Sequence, residues 1–190
     1  MPDPAAAGGR PASIPATTGA SAAVTALIAR YRKLPAPIAT RAVGYIPADI
    51  NGRGSSALEK PLGDVIADAQ LAGLAPADKG GAQVAFMNPG GIRSDLVYKA
   101  SGSEGDGVVT YGEAFTVQPF TNMMQVKTLT GAQLVQLLQQ QVSGLNEAAP
   151  TILQPSANLA YTLDMSKTGA ARAVVASIKL DGPPFAPAAS

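Results

Sequence analysis

The chain has no cysteine, no histidine and no tryptophan among its 190 residues. Without cysteine there is no disulfide, no thiolate nucleophile and no iron–sulfur site, and the redox compartment leaves no trace in the sequence. Without histidine the Ser-His-Asp and Cys-His arrangements are excluded, as are zinc sites built on His or Cys. A Mg or Ca site of oxygen ligands would call for an Asp- and Asn-rich loop of defined spacing, and none is present. The Ser-x-x-Lys dyad is missing too. These absences argue against hydrolysis by the chain on its own. Charge is also scarce: 14% of residues are charged, the formal net charge is +1, and no long block carries one sign. Nucleic-acid backbones are gripped by clustered Lys and Arg, so no nucleic acid is expected as a partner. No apolar run reaches the length of a bilayer, so no membrane span is expected either.

What is there is enough for one core: 46% of the residues are hydrophobic, too many for a chain disordered throughout. Residues 1–20, "MPDPAAAGGRPASIPATTGA", are rich in Ala, Pro and Gly and read as a flexible linker. They hold no apolar stretch after a basic start, so they do not read as a signal peptide. The expected organisation is therefore a linker over 1–20 and a single domain over 21–190.

Val24, Leu27, Ile28, Tyr31 and Leu34 fall at helical spacing, closed by Pro35 and Pro37. "AVGYIPADI" (42–50) reads as strand-like, and 51–60 as a Gly/Ser loop. Pro61 suits the first position of a helix, where its missing N–H costs nothing. Leu62, Val65, Ile66, Ala69 and Ala72 supply that helix with an apolar face. "QVAFM" (83–87) is a short buried strand by length and content. "GVVTY" (107–111) and "AFTVQPF" (114–120) follow, and "MQVKTL" (124–129) alternates as a half-buried strand does. Thr130 and Gln133 form a capping-box pattern ahead of Leu134, Val135, Leu137 and Leu138. "NLAYTLD" (158–164) and "AVVASIKL" (173–180) read as two closing antiparallel strands. The order predicts an α+β domain with a mixed, largely antiparallel sheet packed by helices.

The chemistry concentrates in "FMNPGGIRSDL" (86–96). Pro89 fixes one φ and pushes Asn88 toward extended geometry. Gly90 and Gly91 allow positive φ and close approach to the backbone. This is either a plain turn after a strand or a shelf for a ligand, with Asn88 offering both donor and acceptor. Arg93 either pairs with Asp95 or presents its planar fork to a phosphate or carboxylate. Arg53, in the 51–60 loop, is placed to join it in an anion seat. Phe120 follows Pro119 at a loop position, where an aromatic ring is either core or a platform for a flat base. Asp64 and Asp68, four apart with Glu59 ahead of them, form either an acidic helix start or a metal pair lacking a third ligand.

Taken in order, "LGDVIADAQL", "FMNPGGIRSDL", "YGEAFTVQPFTNMMQVKTLTGAQLVQLL", "ILQPS" and "YTLD" resemble the C-terminal domain of the bacterial 5′-nucleotidase family. That family includes 2′,3′-cyclic phosphodiesterases and UDP-sugar hydrolases. The resemblance implies a nucleotide-recognition domain. Asn88 would bond the base, Gly90 and Gly91 would let the base or ribose approach, Arg93 would contact the phosphate or ribose oxygens, Arg53 lies near where the family places another phosphate-contacting Arg, and Phe120 would stack on the base. It implies as partner a metallophosphoesterase domain or subunit holding two divalent metal ions, with none bound by this chain. It implies a periplasmic or extracellular setting. The family pattern continues past "KLDGPPFAP" to a second aromatic ring and an Asp, which are not met before Ser190. A base held by one ring in place of two forgoes roughly 1–3 kcal/mol of stacking, about ten- to hundredfold in affinity. The alternatives are a non-catalytic module that pairs with a separate metallophosphoesterase subunit, and an inactive fragment.

Overall fold

The computed structural model describes residues 22–181. The expected linker over 1–20 and the tail after Asp181 lie outside the described residues. The chain up to Ile38 and the chain from Ala39 are separate compact units. In the first, α1 (Ala22–Arg32) forms where the apolar spacing predicts it, and it carries no buried residue. A single turn, α2 (Ala36–Ala39), follows.

The second unit is α+β. Its strands are β1 (Ala42–Tyr45), β2 (Phe86–Met87), β3 (Val108–Thr110), β4 (Gln154–Pro155), β5 (Leu159–Leu163) and β6 (Ala173–Leu180). Its helices are α3 (Pro61–Leu74), α4 (Tyr111–Val117) and α5 (Gly131–Gln140). The strands pair as three antiparallel two-stranded ladders, β1 with β3, β2 with β4 and β5 with β6.

Local chemistry fixes several boundaries. Pro61 opens α3. Thr110 and Glu113 cap α4 reciprocally, and Thr130 and Gln133 do the same for α5: Gln133 N–H donates to Thr130 Oγ1 at 3.2 Å and Thr130 N–H to Gln133 Oε1 at 2.8 Å. Each box satisfies two amides that would otherwise lack partners. The apolar side chains gather in clusters: Leu62, Ala67, Met87, Ile92 and Val117 under α3, and Leu134, Leu138, Leu159 and Ile178 between α5 and the β5–β6 ladder.

The structure departs from the sequence reading at three places. First, the buried face of α3 is Leu62, Gly63 and Ala67, while Val65, Ala69 and Ala72 are exposed. The reason is the closeness of β4: a Cβ on Gly63 would lie 2.8 Å from the Gln154 Cβ, so small residues face the sheet. Second, residues 114–117 of "AFTVQPF" belong to α4. Third, Met124–Leu129 is not a strand. Residues 119–129 neither donate nor accept a backbone–backbone hydrogen bond among the described residues, none of which forms a second strand alongside them. Their alternation is still expressed in packing, with Val126 against Gly80 and Met124 in a groove of about 520 Å³ shared with the outer face of α3.

Candidate functional site

β2 delivers Asn88 to the surface in extended geometry (φ −76°, ψ 135°), as the following proline requires. Pro89–Gly91 makes one 3₁₀ turn, with Gly91 N–H on the Asn88 carbonyl at 3.0 Å and Ile92 N–H on the Pro89 carbonyl at 3.2 Å. The plain-turn reading of the glycines is thus met, though neither has positive φ. Space is what separates them. A Cβ on Gly91 would fall 2.4 Å from Met87 Cε and 3.2 Å from Asn88 Oδ1, whereas Gly90 faces open room, with Asn88 Nδ2 at 3.4 Å. The Asn88 side chain is exposed and makes no capping bond.

Ile92, fully buried, pins the segment to the core and turns Arg93 outward. Arg93 N–H donates to the Val117 carbonyl at 3.0 Å, and its Nη1 donates to the Gly90 carbonyl at 3.2 Å. The end of α4 then brings in Phe120, whose ring centroid lies 6.0 Å from the guanidinium carbon of Arg93. Gln118 joins the two segments, its Nε2 donating to the Gly91 carbonyl at 3.0 Å. Sequence reasoning missed Gln118; its signal was a lone amide side chain beside Pro119 and Phe120.

Asn88, Gly90, Arg93 and Phe120 therefore share one exposed surface, with Gly91 buried beneath it. Arg53 is exposed and makes no hydrogen bond or ion pair with this surface among the described residues. Its loop is tied to Asp95, which accepts from Gly52 N–H at 2.6 Å and from Gly54 N–H at 3.0 Å. Asp95 is thus engaged by the loop amides, and no ion pair joins it to Arg93 among the described residues. The Gly54 and Gly52 amides hold its carboxyl below the usual range.

Of the acidic pair, Asp68 accepts from Ala157 N–H at 2.7 Å and ties α3 to the chain before β5. Asp64 keeps one buried oxygen without a partner, and burial, with Glu59 and Asp68 adding repulsion, lifts its pKa to about 6. No group of three or more carboxylate, His or Cys side chains suited to a metal exists among the described residues. A second polar residue that the sequence reading overlooked is Gln154, fully buried in "TILQPS". Its Oε1 accepts from Lys60 N–H at 2.5 Å and its Nε2 donates to the Leu58 and Ile152 carbonyls at 3.0 and 2.7 Å.

Comparison with known proteins shows the family. Residues 37–190 match the family model described as 5′-nucleotidase, C-terminal domain. A cell wall protein of Listeria monocytogenes is 44% identical over 85 residues, covering 44% of this chain and 10% of its own length. The trifunctional nucleotide phosphoesterase protein YfkN of Bacillus subtilis is 32% identical over 143 residues, covering 74% of this chain and 9% of its own length. The crystal structure of a 5′-nucleotidase precursor from Thermus thermophilus superposes with a TM-score of 0.60 at 27% identity, over 83% of this chain and 29% of that one. The chain thus spans about a tenth of these curated relatives. With the family model covering most of its length, the chain belongs to the 5′-nucleotidase family and carries that family's C-terminal domain.

Proposed function

We propose that this chain recognises and positions a nucleotide for a 5′-nucleotidase-type phosphohydrolase. The observation that supports this best is the convergence of Asn88, Gly90, Arg93 and Phe120 on one exposed surface. An exposed ring offers a face for a base. The Asn88 amide offers a donor and an acceptor to the base edge, the exposed Gly90 leaves its backbone uncovered by a side chain of its own, and the guanidinium fork of Arg93 suits a phosphate. The ligand class is a nucleoside monophosphate such as AMP. The chain contributes orientation, and the hydrolytic step belongs to a metallophosphoesterase domain or subunit, where two metal ions activate water. The Listeria relative is named a cell wall protein, which supports placing this activity at the cell surface or in the periplasm.

Calorimetric titration of AMP into the 190-residue chain, with and without Mn, tests the reading. Saturable binding that Arg93→Ala weakens, without phosphate release, is the expected result. Metal-dependent turnover by the pure chain would overturn the division of labour.

A second reading has an observation of its own. The 119–129 segment, which makes no backbone ladder with any described residue, flanks the apolar groove on α3, as in a module that accepts a strand from a metallophosphoesterase subunit. Co-purification of such a subunit, lost on Val126→Pro, would favour it.

A further inference from the structure

Arg53 stands between two glycines whose amides both donate to one carboxylate. Gly52 N–H reaches Asp95 Oδ1 at 2.6 Å, and Gly54 N–H reaches Oδ1 at 3.0 Å and Oδ2 at 3.2 Å. Neighbouring backbone amides that close round an anion form a nest, and here the anion is the protein's own. The arc is also fixed from beneath. A Cβ on Gly52 would lie 2.7 Å from Ile92 Cγ2. Ile50 and Leu96 exchange both backbone hydrogen bonds, at 2.8 and 3.1 Å. The backbone carrying Arg53 thus rests on the residue before Arg93 and is tied to the residues after it, while the Arg53 side chain itself is exposed.

A carboxylate next to an anion seat ought to weaken it by like-charge repulsion. Asp95 avoids this because its oxygens are turned to the amides of the arc, whose dipoles compensate its charge. We infer that Asp95 is a positioning residue: by holding the Gly52–Gly54 arc against the Ile92–Arg93 segment, it sets Arg53 beside Arg93 so that both guanidinium groups grip one phosphate. This rests on the nucleotide reading above and adds to it a residue that governs affinity for the phosphate and leaves affinity for the nucleoside alone.

The test is calorimetry on the full chain with AMP and with adenosine, for the wild type, Asp95→Ala, Asp95→Asn, Arg53→Ala and the double variant Asp95→Ala/Arg53→Ala. Asparagine keeps an oxygen where Oδ1 takes both amides, and drops the charge. Asp95→Ala is expected to weaken AMP about tenfold, the worth of one charge-assisted hydrogen bond, with adenosine unchanged. Asp95→Asn retains AMP affinity, and Arg53→Ala adds no further loss to Asp95→Ala, since both remove the same contact. Gly54→Ala, whose Cβ would fall 2.5 Å from Asp95 Oδ2, disturbs the tether from the other side and reproduces the pattern if Asp95→Ala does not fold. Parallel losses for both ligands, or none, overturn the inference. So does tighter AMP binding by both Asp95 variants, the signature of plain charge repulsion. A wild type that binds neither ligand removes the nucleotide reading itself, and the inference falls with it.

Discussion

Arg93 holds its guanidinium carbon 6.0 Å from the ring centroid of Phe120, within reach of a cation–π contact. The ring nevertheless stays 53% exposed, so arginine and aromatic present one continuous surface, the one proposed above for a base and its phosphate. Phe120→Ala removes the platform and leaves the core untouched. AMP and adenosine affinity both fall about ten- to hundredfold in calorimetry, and the melting temperature stays where it was. Equal affinity for both proteins would dissociate Phe120 from the site.

The two glycines of the turn make a sharper pair. Gly90→Ala meets nothing closer than Asn88 Nδ2 at 3.4 Å, whereas a Cβ on Gly91 meets Met87 Cε and Asn88 Oδ1. Gly91→Ala therefore lowers the melting temperature and disturbs Asn88. Gly90→Ala leaves stability within about 0.5 kcal/mol yet weakens nucleotide binding, because the added methyl group stands where the ligand approaches. Denaturant unfolding and calorimetry on the same two samples separate the effects.

Asp64 gives the fold a pH dependence of unusual sign. Its folded pKa of about 6 lies above the ordinary 3.8. Between those values the folded chain keeps a proton that the unfolded chain has lost, so this residue's contribution to stability declines as pH rises through that window and stays low above it. Asp95 acts oppositely. Its lowered pKa contributes stability at neutral pH that is lost as pH falls through the folded value. Asp64→Asn should raise the melting temperature near neutral pH and have little effect in acid. Thermal scans across the range read this directly, and a gain of equal size at every pH would assign the titration elsewhere.

Much of this was legible in the sequence where the cause is local. The Thr130–Gln133 box, Pro61 at the start of α3 and the two closing antiparallel strands β5 and β6 each involve residues close in the chain, and each appears as read. The contiguous Asn88–Arg93 segment could be read for the same reason. What stayed hidden depends on distant partners. α3 is apolar on two sides, and spacing alone cannot choose between Val65 and Ala67; the close approach of Gln154 does. "MQVKTL" has a strand's alternation, but a ladder takes a second strand. The loop that carries Arg53 is tied to Asp95, more than forty residues away in sequence.

The choice of face on α3 has its own test. Leu62, buried in α3, should lose roughly 2–5 kcal/mol on truncation to Ala. Val65→Ala, at a position 48% exposed, should lose less than about 1 kcal/mol. Denaturant unfolding of the two variants ranks them. A larger loss at Val65 would mean that the groove face is the true core face of α3.

The most direct measurement of the central claim is a two-dimensional amide NMR titration of the labelled chain with AMP. The account predicts saturable shifts at Asn88, Gly90, Gly91, Arg93 and Phe120, with those at Gly52, Arg53 and Gly54 present for AMP and absent for adenosine. A dispersed spectrum that AMP leaves unmoved, or shifts confined to residues remote from this surface, would contradict it.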